Sequence, residues 1–90
     1  PNTMSLSNIK IAVLMGGPGS ERQVSLASGN AVLKALLSLG LDAVPVDVTS
    51  NEFDIPEGTG LCFNLIHGTF GEDGQLQDIL DKKGIPYTGA

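Results

Sequence analysis

The stretch "IKIAVLMGGPGSERQVSLASGNAVLKALLSLG", residues 9–40, constrains the fold more than any other. Its first seven residues, 9–15, are β-branched or aliphatic apart from Lys10, the pattern of a central strand covered on both faces. Gly16, Gly17, Pro18 and Gly19 cannot continue a strand. Ser20, followed three residues later by Gln23, has the form of a capping box and predicts that a helix starts here. From Val24 onward, Val24, Ala27, Ala31, Val32, Ala35, Leu36 and Leu39 recur at helical spacing, and Gly40 is placed as the residue just past the helix end. A buried strand that feeds a helix through a tight glycine turn is the first half of a βαβ unit, so the sheet is expected to be parallel.

The rest of the chain continues that pattern. "DAVPVDV", residues 42–48, reads as a second strand, with Pro45 demoting it to an edge because proline removes a ladder donor. Residues 49–60 show no period and carry Pro56, Gly58 and Gly60, so they are expected to cross over without a full helix. "LCFNLI", residues 61–66, is a buried third strand. "EDGQLQDILDKKG", residues 72–84, sets Leu76, Ile79 and Leu80 on one helical face, with acids first and Lys82 and Lys83 last, as the helix dipole favours. "IPYTG", residues 85–89, is a short fourth strand. The expected fold class is α/β, a small parallel sheet with flanking helices in a Rossmann-like arrangement. With the second strand on one side of the first and the third on the other, the sheet has a switch point between strands one and three, where such folds bind ligands.

Composition narrows the partners. Ninety residues make one small domain, and 41% apolar with 17% charged residues is ordinary globular material. A net charge of −5 repels phosphate backbones and anionic lipid heads, which argues against nucleic acid and membrane surfaces. No apolar run approaches the ~18 to 20 residues of a membrane span. The single cysteine, Cys62, lies in an apolar run and is expected to be a small buried hydrophobe, consistent with a cytoplasmic location. Without a second histidine or further cysteines no zinc site is expected, and no metal ligand is assigned. Residues 1–8 are expected to be a tag remnant and disordered start, because Pro1–Thr3 stand ahead of Met4.

Two loops, "GGPGSE" after strand one and "HGTFGEDG" after strand three, should face each other across the switch point. Each carries small residues and leads into a helix N-terminus, which attracts anions. Between them they bring Ser20, Glu21, Ser25, His67, Glu72 and Asp73. An anion site beside a fixed carboxylate suits a zwitterion such as a free amino acid. Neither the dinucleotide fingerprint nor a Walker loop is present. Read singly, each residue also has a plain structural role: His67 bonded to a loop carbonyl, Glu72 and Asp73 as helix-start acids, Ser25 as a helix residue, the glycines as a steric turn.

Two stretches, "IAVLMGGPGSERQVSLASGNAVLKAL" at 11–36 and "HGTFGEDGQLQDILDKKGIPYTGA" at 67–90, together resemble the N-terminal domain of D-alanine–D-alanine ligases. They cover more than half the chain in the family's order: strand, double glycine, glutamate, "VSL" and "SG", then "HG", "GEDG", "LQ" and "PYTG". The sequence departs from the family pattern at Pro18 and Gly19, and at Gln23, where a second glutamate is frequent.

The resemblance implies an ATP-grasp ligase that joins two D-alanines through an acyl phosphate for the peptidoglycan precursor. By motif, Glu21 is similar to the catalytic-site glutamate that positions the first D-alanine ammonium, Val24 and Ser25 to its neighbours at the substrate site, and His67 to the histidine that contacts the same substrate. ATP and Mg2+ (or Mn2+) would be bound by domains absent from these 90 residues. The expectation is therefore a substrate-binding N-terminal domain over 9–90, cut before the ATP-grasp domains and inactive alone, with D-alanine and those domains as partners and a homodimer compatible with the outer face of the first helix. The alternatives are a D-alanine–D-lactate or D-alanine–D-serine ligase domain, and a stand-alone flavodoxin-like module that binds phosphate or nucleotide.

Overall fold

The computed structural model describes residues 9–17, 19–49, 53–66 and 75–89. Strand β1 (Lys10–Gly16) leads to helix α1 (Arg22–Ser38), then β2 (Asp42–Val48), β3 (Thr59–Asn64), helix α2 (Gln75–Lys83) and β4 (Tyr87–Gly89). The four strands form one sheet in the order β2-β1-β3-β4, and every neighbouring pair is parallel. The chain thus turns outward from β1 in both directions, and the expected switch point lies between β1 and β3. β2 is an edge strand, the position its Pro45 requires.

Successive residues of β1 point to opposite faces, and both faces are covered. Ile11, Val13 and Met15 meet Leu36 of α1 and Ala43, with Leu26, Val32 and Leu33 packed alongside. Ala12 and Leu14 meet Leu76 and Leu80 of α2, together with Val46, Val48, Cys62 and Ile66. Residues 11–14 are wholly inaccessible to solvent, as expected for the middle of a helix–sheet–helix sandwich. Each buried aliphatic side chain there contributes about 1.5–3 kcal/mol relative to exposure.

The inward face of α1 takes only part of the expected stripe: Leu36 is buried and Val32 packs on the core. Val24 is 57% and Leu39 72% exposed, and Ala27, Ala31 and Ala35 also face outward. The face against the sheet carries Ser25, Gly29 and Leu36 as its buried residues. The reason is close approach: a methyl group built on Gly29 would lie 2.5 Å from Met15 Cβ, so only glycine lets the helix seat at this depth. Alanine is apolar enough to mark a stripe but small enough to sit on the surface, and the true inner stripe contains a serine and a glycine.

Other boundaries shift by a residue or two. The capping box is not formed: the residue preceding the helix is Glu21, without a side-chain cap bond, and residues 19–22 instead close a turn through Arg22 N–H to the Gly19 carbonyl at 3.2 Å. Strand β1 extends into Gly16, which is in register with Val48. The third strand starts at Thr59 and ends at Asn64, earlier than expected. Leu65 still donates to the Leu14 carbonyl at 2.9 Å as the chain leaves the sheet. Gly40, at φ +81, sits just past α1 as expected. The first three residues of the expected second helix, 72–74, and the expected disordered start, 1–8, lie outside the described residues.

Candidate functional site

The switch point is assembled from the carboxyl ends of β1, β2 and β3, and polar groups hold these ends together. Gly16 and Gly17 both have left-handed backbone, φ +96 and +87, which lets the chain turn sharply out of β1. Gly17 N–H then donates to the Val48 carbonyl at 2.6 Å, pinning the turn to the end of β2. On the other side a Cβ at Gly17 would meet Ile66 Cγ2 at 2.8 Å. The glycine turn therefore touches the departing end of β3 directly, which brings the two predicted loops together at their roots.

Ser25 bridges that junction with two hydrogen bonds. Its Oγ accepts from Gly16 N–H at 2.9 Å and donates to the Leu65 carbonyl at 2.5 Å. The side chain is fully buried, so one hydroxyl in the first turns of α1 satisfies one backbone group from each of the two loop roots. Such a bridge is expensive to remove, since a buried amide or carbonyl left unpaired costs about 1–3 kcal/mol.

Glu21 stands at the start of α1 with its side chain exposed. Val24, exposed as well, follows at the i+3 spacing that puts two side chains on one helix face. The structure thus brings Glu21, Val24 and Ser25 to one end of α1 beside the glycine turn, with Ser25 inward and the other two outward. His67 directly follows Ile66, whose backbone is fixed at this junction, but His67 itself lies outside the described residues, as do Glu72, Asp73 and Pro18.

Two residues not singled out from the sequence belong to the same junction. Asn64, 3% exposed, accepts from Ile66 N–H at 3.0 Å through Oδ1 and so shapes the end of β3; its only sequence signal is an amide inside an apolar run. The Arg22 guanidinium pairs with Asp47 at 2.7 Å and reaches the Gly17 and Val48 carbonyls at 3.4 Å each. Nothing local in the sequence links Arg22 to a partner 25 residues away.

Among the described residues no three His, Cys, Asp or Glu side chains come together in a way that would hold a metal ion. Burial pushes the Cys62 thiol up to about 11, and it is free and enclosed, so it is not a nucleophile of this site. Among the described residues no helix is long and apolar enough to cross a membrane.

Comparison with known proteins points one way. A family model described as "D-ala D-ala ligase N-terminus" matches residues 50–90. The D-alanine--D-alanine ligase of Geobacter sulfurreducens is 54% identical over 87 residues, which is 94% of this chain and 28% of that protein. The chain spans about a quarter of the length of the curated relatives it matches. Among solved structures, D-alanine--D-alanine ligase from Bacillus anthracis complexed with ATP superposes with a TM-score of 0.76 at 33% identity, covering 89% of this chain and 27% of that one. VanG D-Ala:D-Ser ligase from Enterococcus faecalis gives 0.72 at 27% identity, over 89% of this chain and 35% of that one. The shared parallel sheet, the matched family model and the identity along nearly the whole chain place it in the D-alanine–D-alanine ligase family, as an N-terminal domain.

Proposed function

We propose that the protein to which this domain belongs carries out the ATP-dependent joining of two D-alanines, through an acyl phosphate, for the peptidoglycan precursor, and that residues 9–90 form one wall of its first D-alanine site. The observation that carries this reading is the junction itself: Ser25 ties the roots of both loops together while Glu21 stands exposed at the start of α1. A carboxylate held there suits the ammonium group of a free amino acid. Val24 lies on the same outward face and offers apolar contact for a small side chain, Ser25 fixes the wall from behind, and His67 follows on from the fixed end of β3 to contact the same substrate. ATP and Mg2+ or Mn2+ belong in this proposal to the remaining ATP-grasp domains. The 90-residue chain alone is then inactive.

The partners proposed are D-alanine, those remaining domains and, on the outer face of α1, a second copy, which light scattering of the full-length protein measures. A cytoplasmic location is part of the same proposal and suits the buried free thiol of Cys62. The second substrate is chosen elsewhere, since a D-Ala:D-Ser ligase shares the fold of this domain. The test is product analysis of the full-length protein given ATP and D-alanine, with and without D-serine and D-lactate. D-alanyl-D-alanine as the main product supports the proposal. A mixed product with D-serine or D-lactate moves it to the related ligases, and saturable nucleotide binding by the 90-residue chain without ligation favours a binding module.

A further inference from the structure

The Arg22 guanidinium occupies the point where three segments meet. It makes a charge-assisted bond to Asp47 Oδ2 at 2.7 Å near the end of β2, and its Nη1 reaches the carbonyls of Gly17, in the glycine turn, and Val48, at the end of β2. A Cβ on Gly16 would lie 2.7 Å from that same Nη1 and 2.8 Å from Asp47 Oδ1, so the glycine turn is shaped around the ion pair. Arg22 is also the first residue of α1, adjacent to Glu21. Glu21 itself has no side-chain cap bond to hold it, and the capping box that would have fixed the start of this helix is not formed. The backbone that carries Glu21 is thus anchored from its C-terminal side by one guanidinium, which fastens it to β2 and to the turn.

We infer that Arg22 is a positioning residue for the first D-alanine, setting the placement of Glu21 through its fork onto Asp47, Gly17 and Val48; the inference rests on the function proposed above. The pair is part-exposed, at 34% for Arg22 and 55% for Asp47, so its contribution to stability is small. Its contribution to geometry is not, because displacing a substrate-binding group by about 1 Å lowers rate by up to about 100-fold. A lysine at this position would keep the charge but lose the planar fork that serves several acceptors at once.

The experiment compares full-length enzymes bearing Arg22→Ala, Arg22→Lys, Asp47→Ala, the Arg22→Ala/Asp47→Ala pair and, as reference, Glu21→Gln. Kinetics are measured with D-alanine and ATP varied separately, and thermal melting is followed alongside. Arg22→Ala should raise KM for the first D-alanine about tenfold or more, with KM for ATP and the melting midpoint held. Arg22→Lys should recover part of that loss, Asp47→Ala should be milder, and the double variant should be no worse than Arg22→Ala, since the two act as a unit. Unchanged D-alanine KM in Arg22→Ala beside a crippled Glu21→Gln would overturn the inference and leave the proposed function standing. So would a loss spread equally over ATP and D-alanine or matched by a lower melting midpoint, which would mark Arg22 as a merely structural residue. Unchanged kinetics in Glu21→Gln would overturn the proposed site and the inference with it.

Discussion

Ser25 shows how one side chain joins the points where two segments leave the sheet. Its hydroxyl was legible in the sequence as a member of the "VSL" motif, yet its burial and its two backbone partners depend on Gly16 and on Leu65, 40 residues away. Replacing it with alanine should destabilise the protein by about 1–3 kcal/mol, because the buried Gly16 amide would lose its acceptor and the part-buried Leu65 carbonyl its donor. Urea denaturation measures this, and a loss under about 0.5 kcal/mol would mean the bridge is dispensable. Cys62 offers a second test at this scale. Burial raises its thiol from the ordinary 9.0 to about 11, so the unfolded chain releases that proton at lower pH than the folded one. The stabilisation is complete below pH 9 and is lost as pH rises through about 11. The unfolding free energy should therefore fall across that window, more steeply in the wild type than in Cys62→Ala, and thiol reagents should react only on unfolding; equal slopes would contradict the assignment. Arg22 and Asn64 escaped the sequence reading for a shared reason, since their roles lie in partners that only the folded chain supplies.

At the scale of elements, strands were the most legible feature. A run such as 9–15 is apolar on both of its faces, so no choice of face has to be made, and the edge position of β2 follows from Pro45 alone. Helix α1 was legible as a helix, and in its orientation only through Val32 and Leu36. The alanines at 27, 31 and 35 suggested one stripe, whereas the sheet takes the face with Ser25, Gly29 and Leu36. Contact depth decided it, and depth is not written in hydropathy. The consequence is testable at Gly29. Alanine is a better helix former than glycine by about 1 kcal/mol, but its methyl would lie 2.5 Å from Met15 Cβ, an atom fixed to the backbone of β1. Overpacking of this kind costs about 1–3 kcal/mol. Gly29→Ala should thus lower the melting midpoint despite its better propensity, and an unchanged or raised midpoint would show that the helix lifts off the sheet without penalty. Helix α2 was easier, because Leu76 and Leu80, both fully buried, are one turn apart with no competing stripe.

For the whole molecule, the order β2-β1-β3-β4 sets the ends of β1 and β3 side by side, so that Gly17 and Ile66, far apart in sequence, become neighbours. That adjacency was expected from the alternation of strands and helices and from the placement of the glycine turns. The loops alone suggested a zwitterion such as a free amino acid without singling one out, because a glycine turn at a switch point accepts many anions; the family resemblance is what points to D-alanine. On the proposed function, in which ATP and the metal belong to the remaining domains, the isolated 90-residue chain should release no phosphate from ATP in the presence of D-alanine. Release above a control without protein would show that these residues suffice. The central claim, that the start of α1 forms one wall of the first D-alanine site, is tested most directly by steady-state kinetics of the full-length protein carrying Glu21→Gln. The account predicts a fall in kcat/KM for D-alanine of about 100-fold or more, with the melting midpoint and KM for ATP unchanged. Kinetics equal to the wild type would contradict it, and Glu21 would then be an ordinary exposed residue at the start of a helix.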